Sequence, residues 1–288
     1  MRSLTPRHQR LAGAAALLAT VLAAGCTASG STARTAATPE APSTFTYGPF
    51  TAVYEIASHS HTEQDFGGQV QTVDFSLTYY ITATAVQTGG AAQLTITLDS
   101  APNMSDLPPG AGISKEEIQR AAGTTYRGIL APDGEIMAFQ GSTAGGQFAE
   151  QLNTAMERFF PRIPSGGLAP GQTWSDSVST TTQSGGLDLG VETTTSFAAR
   201  DWLTRNGIQA LEVAAVADYT VSGGGAQGGM DIGIDGSGVR RSLLYLAEDG
   251  RYLGGATADT SNLVATVAAM GAMIPVTQIR HDTVRVVR

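Results

Sequence analysis

Val73-Asp74-Phe75-Ser76-Leu77-Thr78-Tyr79-Tyr80-Ile81-Thr82-Ala83-Thr84-Ala85 decides the fold class. Val73, Phe75, Leu77, Tyr79, Ile81, Ala83 and Ala85 share one face, and Asp74, Ser76, Thr78, Tyr80, Thr82 and Thr84 occupy the other. A period of two marks a strand with one buried and one wet face. After Gly89-Gly90, Leu94, Ile96 and Leu98 alternate with Thr95, Thr97 and Asp99, so the two segments read as a hairpin. Further along, Leu187, Leu189, Val191, Thr193, Thr195 and Phe197 alternate with polar or small residues up to the Asn206-Gly207 turn. Leu211, Val213, Ala215, Ala217, Tyr219 and Val221 then line one face.

The halves look like copies. Ile129-Leu130-Ala131-Pro132-Asp133-Gly134 and Tyr245-Leu246-Ala247-Glu248-Asp249-Gly250 stand 116 residues apart, each following an earlier hairpin turn by a similar interval. Helix is scarce. Phe148, Leu152, Met156 and Phe159 recur at helical spacing, which predicts a helix over 146–159, and Ser114 with Glu117 forms a capping-box pattern for a shorter one. Phe160-Pro161-Arg162-Ile163-Pro164 and Ala169-Pro170-Gly171-Gln172-Thr173-Trp174 read as a rigid connector. The expected fold is mainly β: long antiparallel strands in a curled sheet or incomplete barrel with one or two short helices and two similar units, about 45–160 and 173–288.

At the N-terminus Arg2, Arg7 and Arg10 accompany an apolar run from Leu11 to Ala24, too short to cross a bilayer, so residues 1–25 read as a signal peptide. Leu22-Ala23-Ala24-Gly25-Cys26 resembles the lipobox of bacterial lipoproteins, with Ala23 where leucine is commonest. The resemblance implies acylation of Cys26, attachment to the membrane through those acyl chains, and a place in the cell envelope facing the periplasm or exterior. Thr27 is not the aspartate that retains such proteins at the inner membrane of enteric species. Residues 26–44 then form a flexible tether of Ala, Thr, Ser, Gly and Pro, and 45–288 a single β-rich domain.

Cys26 is the only cysteine, which excludes an intrachain disulfide and a CxxC metal knuckle. Removing Arg2, Arg7 and Arg10 takes the net charge from −8 to −11, with Lys115 the sole lysine; nucleic acid is therefore not expected as a partner. No G-x-S-x-G, S-x-x-K or H-E-x-x-H occurs, so no catalytic residue is assigned, no cofactor is expected and the chain reads as a non-enzyme. His59 and His61 share a strand face with Glu63 and Asp65 nearby, but a metal would need His281 brought in by the fold. Gly223-Gly224-Gly225-Ala226-Gln227-Gly228 reads as the start of a glycine-rich loop reaching Gly238, since no helix pattern follows it for a dinucleotide site. Asp231 and Asp235 miss the calcium-loop spacing. Trp174 and Trp202 read as caps of the β core rather than as stacking platforms.

With the duplicated hairpins, the Pro-x-x-Pro segment and the Gly-x-x-Trp that opens the second unit, the chain resembles a group of uncharacterised bacterial lipoproteins, similar in architecture to the lipoprotein-carrier folds of LolA and LppX. That resemblance implies a sheet wrapped around a helix and an apolar cavity for a lipid or other hydrophobic ligand. Phe75, Leu77, Tyr79, Leu94, Ile96, Leu98, Val213 and Tyr219 are the expected lining. Alternation reports burial and not emptiness, so a packed core acting through surface contacts with another envelope protein or a glycan stands beside it.

Overall fold

In the computed structural model residues 44–100, 102–104, 115–141, 146–184, 186–227 and 229–288 are described; the leader, Cys26 and the tether up to residue 43 lie outside them. The strands are β1 (Phe50–Asp65), β2 (Val70–Thr88), β3 (Ala91–Leu98), β4 (Asn103–Met104), β5 (Thr125–Leu130), β6 (Ile136–Gln140), β7 (Thr173–Ser184), β8 (Leu187–Arg205), β9 (Ile208–Gln227), β10 (Met230–Ala247), β11 (Tyr252–Val267) and β12 (Ala272–Val286). The helices are α1 (Lys115–Arg120) and α2 (Gly146–Glu157). The protein is thus mainly β, as the alternating segments predict.

All the strands lie in one antiparallel sheet of order β6-β5-β3-β2-β1-β12-β11-β10-β9-β8-β7, with β4 on β2, and the sheet is open between β6 and β7. Read from β7, this is a simple meander whose chain break falls in its middle. The first and last strands pair there, from Tyr54 opposite Val286 to Gln64 opposite Val276. Every other neighbour along the sheet joins strands close in sequence, so β1–β12 is the one long-range seam.

The curl of the sheet is occupied by α2 and the connector after it. Phe148, Leu152 and Met156, each four residues apart, give α2 one buried stripe. The helix ends at Glu157, so Phe159 belongs to the connector, which runs on through Pro161 and Pro164 with no amide hydrogens at those positions to continue a helix. Phe159 and Phe160 stand edge-on 5.0 Å apart, Phe159 meets Tyr54 at 5.0 Å and Tyr252 at 5.8 Å, and Phe160 meets Tyr47 and Phe50 at 5.7 Å each. Their phenols are satisfied: Tyr54 donates to the Tyr252 carbonyl at 2.8 Å and Tyr47 to the Pro161 carbonyl at 2.8 Å. Burying each such ring contributes about 1.5–3 kcal/mol, so these rings fasten the two halves of the sheet to one plug. A second apolar cluster, with Leu187, Val221, Ile234, Leu263 and Val276, fills the far ends of β8 to β12.

The Asp133-Gly134 and Asp249-Gly250 turns share one bonding pattern. In each, the residue two before Asp donates to the residue two after it at 2.8 Å, as Ala131 to Glu135 and Ala247 to Arg251, and Gly takes φ of 88° or 85°. Both hold the entering chain, Tyr47 donating to the Pro132 carbonyl and Gly48 to the Gly250 carbonyl.

One expectation is corrected. Gly223 to Gly238 is not a loop: Gly223, Gly224 and Gly225 lie in β9, and Gly233, Gly236 and Gly238 in β10, which pair from Gln227 opposite Met230. The glycines serve close approach of backbones, since a Cβ on Gly223 or Gly225 would stand 2.1 Å from the carbonyl oxygen of Asp188 or Gly186.

Candidate functional site

The residues expected to line a cavity are divided between the two apolar clusters. Tyr79, Leu94, Ile96, Leu98 and Val213 are buried in the cluster around α2 and the connector, and Leu77 is half-buried against it. Tyr219 belongs to the far cluster, and Phe75 is buried beside neither.

Between the clusters the inner face turns polar. Cross-strand register places Ala217, Arg240, Asp259, Arg280, Ser60 and Phe75 in one row over six strands, and Tyr219, Gly238, Ser261, Gln278, Thr62 and Val73 in the next inward-facing row. Arg240 donates through Nε to Asp259 at 2.8 Å, the Tyr219 hydroxyl donates to the other Asp259 oxygen at 2.7 Å, and Arg280 donates through Nε to Asp282 at 2.7 Å. Ser242 and Thr257 share a short hydrogen bond one row toward α2. Gly238 has no side chain because the Tyr219 ring lies where its Cβ would be, and Arg240 stands 5.6 Å over that ring. Burial, and then the Asp259 carboxylate, push the Tyr219 phenol well above its ordinary value. The hydroxyls of Ser60, Thr62 and Ser261 are fully buried; Ser261 faces the Tyr219 hydroxyl, and Ser60 and Thr62 make no hydrogen bond. Sequence reading missed this belt, because a charged residue on an inward position looks like an interruption of the alternation. The signal was there: Ser60, Thr62 and Gln64 keep the period of Tyr54 and Ile56 but change from apolar to polar together.

The outer face carries a groove of about 600 Å³ across β7 to β10. Two outward rows form its walls, Ser177-Thr194-Asp218-Val239 and Ser179-Glu192-Thr220-Ser237, with the backbone of the inward row between them as floor. Beside it β7 is a sheet edge of 12 residues without Lys, Arg, Pro or Gly. The opposite edge, β6, is short, has Ala138 at φ 50° and pairs with β5 through a register shift.

The fold does bring His281 to His59, directly opposite on the neighbouring strand. His61 is nevertheless engaged on both nitrogens, Nδ1 with Asp74 at 2.8 Å and Nε2 with Glu63 at 3.4 Å, and His59 Nδ1 meets the Ser76 hydroxyl at 3.0 Å. Among the described residues no group of three or more His, Cys, Asp or Glu is placed to hold a metal. The Asp74 and then the Glu63 hydrogen bonds raise the His61 pKa above its ordinary value. Trp174 stacks on Phe197 with ring centres 4.7 Å apart, half-buried against the main cluster, where Trp202 also packs.

No family model and no curated protein matches the chain. Among solved structures it aligns with the porin OccK2 (OpdF) of Pseudomonas aeruginosa over 83% of this chain and 98% of that one, at 9% identity and a TM-score of 0.31. It also aligns with a substituted porin of Rh. blastica over 81% of this chain and 100% of that one, at 10% identity and a TM-score of 0.25. The expected likeness to LolA and LppX is corrected on this ground: the proteins it aligns with are porins, and its twelve strands make one open sheet. The lipoprotein and palmitate reading, made from Leu22 to Cys26, is corrected on the same ground, and Cys26 lies outside the described residues. TM-scores this low carry no functional argument for the porins either. The polarity of the faces in fact runs opposite to a lipid-facing barrel: apolar residues point inward, and the mid-sheet outer face shows His59, His61, Asp74, Thr194, Asp218 and His281.

Proposed function

We propose that the protein is a non-enzymatic component of the cell envelope that works by binding, through the β7 edge and the groove beside it, an extended segment of another envelope protein. The secretory pattern of residues 1–25 and the lack of a catalytic motif support the location and the class. One observation carries the binding reading: among the described residues β7 offers a long row of backbone donors and acceptors with no strand on its far side, and it is neither short nor register-shifted as the β6 edge is. Strand addition at such an edge draws affinity from main-chain hydrogen bonds and specificity from alternate side chains. Glu192 and Asp218 on the groove walls favour a segment bearing Lys or Arg, and a net charge of −8 on the whole chain disfavours a second copy. The plugged interior supports this reading over a hydrophobic ligand held inside.

The test is site-specific photo-crosslinking in cells from Ser177 and Ser179, with the captured segment sequenced. Adducts to one basic, extended segment that vanish in Val178→Pro, while Phe139→Pro on the β6 edge leaves them, are expected. Adducts only between copies of the chain, or adducts indifferent to Val178→Pro, would overturn the proposal.

A further inference from the structure

We propose that the polar belt inside the sheet is a binding site for an oxyanion, the carboxylate or phosphate group of a small ligand. Both guanidiniums are oriented rather than consumed. Arg240 is held through Nε by Asp259 and Arg280 through Nε by Asp282, and no described residue accepts from their terminal amino groups. Such a tether leaves the planar fork of each arginine directed away from its own carboxylate, the arrangement that grips an oxyanion with paired hydrogen bonds. Asp259 stands opposite both arginines, so their strands lie two spacings apart, about 10 Å, with the two forks on either side of one strand.

The hydroxyls make the second, independent observation. Ser60 sits opposite Arg280 and Thr62 one inward row from it, each 2% exposed. Each lacks a partner, and a buried hydroxyl without one costs about 1–3 kcal/mol, so two side by side call for a common acceptor. Unused donors outnumber unused acceptors: both Asp259 oxygens are already taken, by Arg240 and Tyr219. That imbalance selects an acceptor-rich anion over a cation. Arg240 and Arg280 keep 23% and 14% of their side-chain surface exposed, and Asp176, Val178, Thr193 and Thr195 on the same inward rows of β7 and β8 are half-exposed, so a ligand reaches the belt from the open side of the sheet.

The experiment is a titration of protein with 15N-labelled arginine by inorganic phosphate and, separately, by acetate, at constant ionic strength set with chloride. Saturable shifts of the Arg240 and Arg280 side-chain resonances are expected, with the stronger of the two anions naming the class. Ser60→Ala with Thr62→Val removes only unpartnered hydroxyls, so the variant folds as stably as the parent and its Kd rises about tenfold. Arg280→Lys keeps the charge and loses the fork, and it weakens binding further. Shifts that do not saturate with either anion, or a Kd unchanged in that double variant, would overturn the site. Binding here is read apart from β7 crosslinking, so either proposal can fail alone.

Discussion

At His61 the imidazole lies between Asp74 and Glu63 on an exposed strand face, and both carboxylates favour its protonated form. Its folded pKa is raised above the unfolded 6.5, so its contribution to stability is complete below that value and is lost as pH rises through the folded pKa. Two-dimensional NMR titration should place His61 above the ordinary histidine value, and Asp74→Asn should bring it down; a His61 that titrates unmoved by Asp74→Asn would refute the assignment. The belt makes a larger claim. Asp259→Asn deprives a half-buried Arg240 of its counter-charge and should cost about 3 kcal/mol in urea unfolding, the low end for a buried pair, whereas Tyr219→Phe should cost about 1.5–3 kcal/mol. The bonding of the belt was not legible in the sequence, because Tyr219, Arg240 and Asp259 lie on three different strands and meet only through register, and the two-residue spacing of Arg280 and Asp282 names no bond by itself. A charged residue at one inward position says nothing of its partner on the next strand.

Among the elements, legibility follows composition. β2, β3, β8 and most of β9 announce themselves through Leu, Ile, Val and Tyr at every second position, and the stripe of α2 does the same at every fourth. β10 starts with Met230-Asp231-Ile232-Gly233-Ile234-Asp235-Gly236-Ser237-Gly238, and its glycines and aspartates read as loop chemistry. In the strand, Gly236 stands where the Asn262 backbone comes too close for a Cβ and Gly238 where the Tyr219 ring does, contacts no single segment encodes. Two substitutions one strand apart separate these roles. Gly225→Ala would press a Cβ to 2.1 Å from the Gly186 carbonyl oxygen and should destabilise by at least about 1–3 kcal/mol. Gly190→Ala meets only the Ser222 carbonyl oxygen at 3.5 Å and should be neutral or slightly stabilising, since alanine has less backbone freedom to lose. Thermal melts of the pair decide it: equal losses would mean that the glycines act through flexibility and not through close approach.

The whole molecule is a meander cut at its centre. Its spatial order runs β7 to β12 and then β1 to β6, so ordinary synthesis makes the first strand wait for the last before the middle of the sheet can close. Tyr54 meets Val286 and Gln64 meets Val276, pairings that carry a loop-closure cost no other neighbouring strands face. The aromatic plug adds to the delay, because Phe159 and Phe160 must contact Tyr54 from one half and Tyr252 from the other. A circular permutant tests this. Opening the chain between Gly141 and Gly146 severs no strand pair, since β6 and β7 are the two edges, and a Gly/Ser linker of about 10 residues from Arg288 to Thr44 makes every pairing sequential. The permutant should reach the same fold, judged by the stacked Trp174–Phe197 environment and far-ultraviolet circular dichroism, and refold at least about tenfold faster, as the fall in contact order requires. Its unfolding rate should change little, because the native contacts are the same. Equal refolding rates would place the slow step elsewhere, in the docking of α2 and its connector, and a permutant that fails to fold would show that β1 must be in place before β7 to β12 can form.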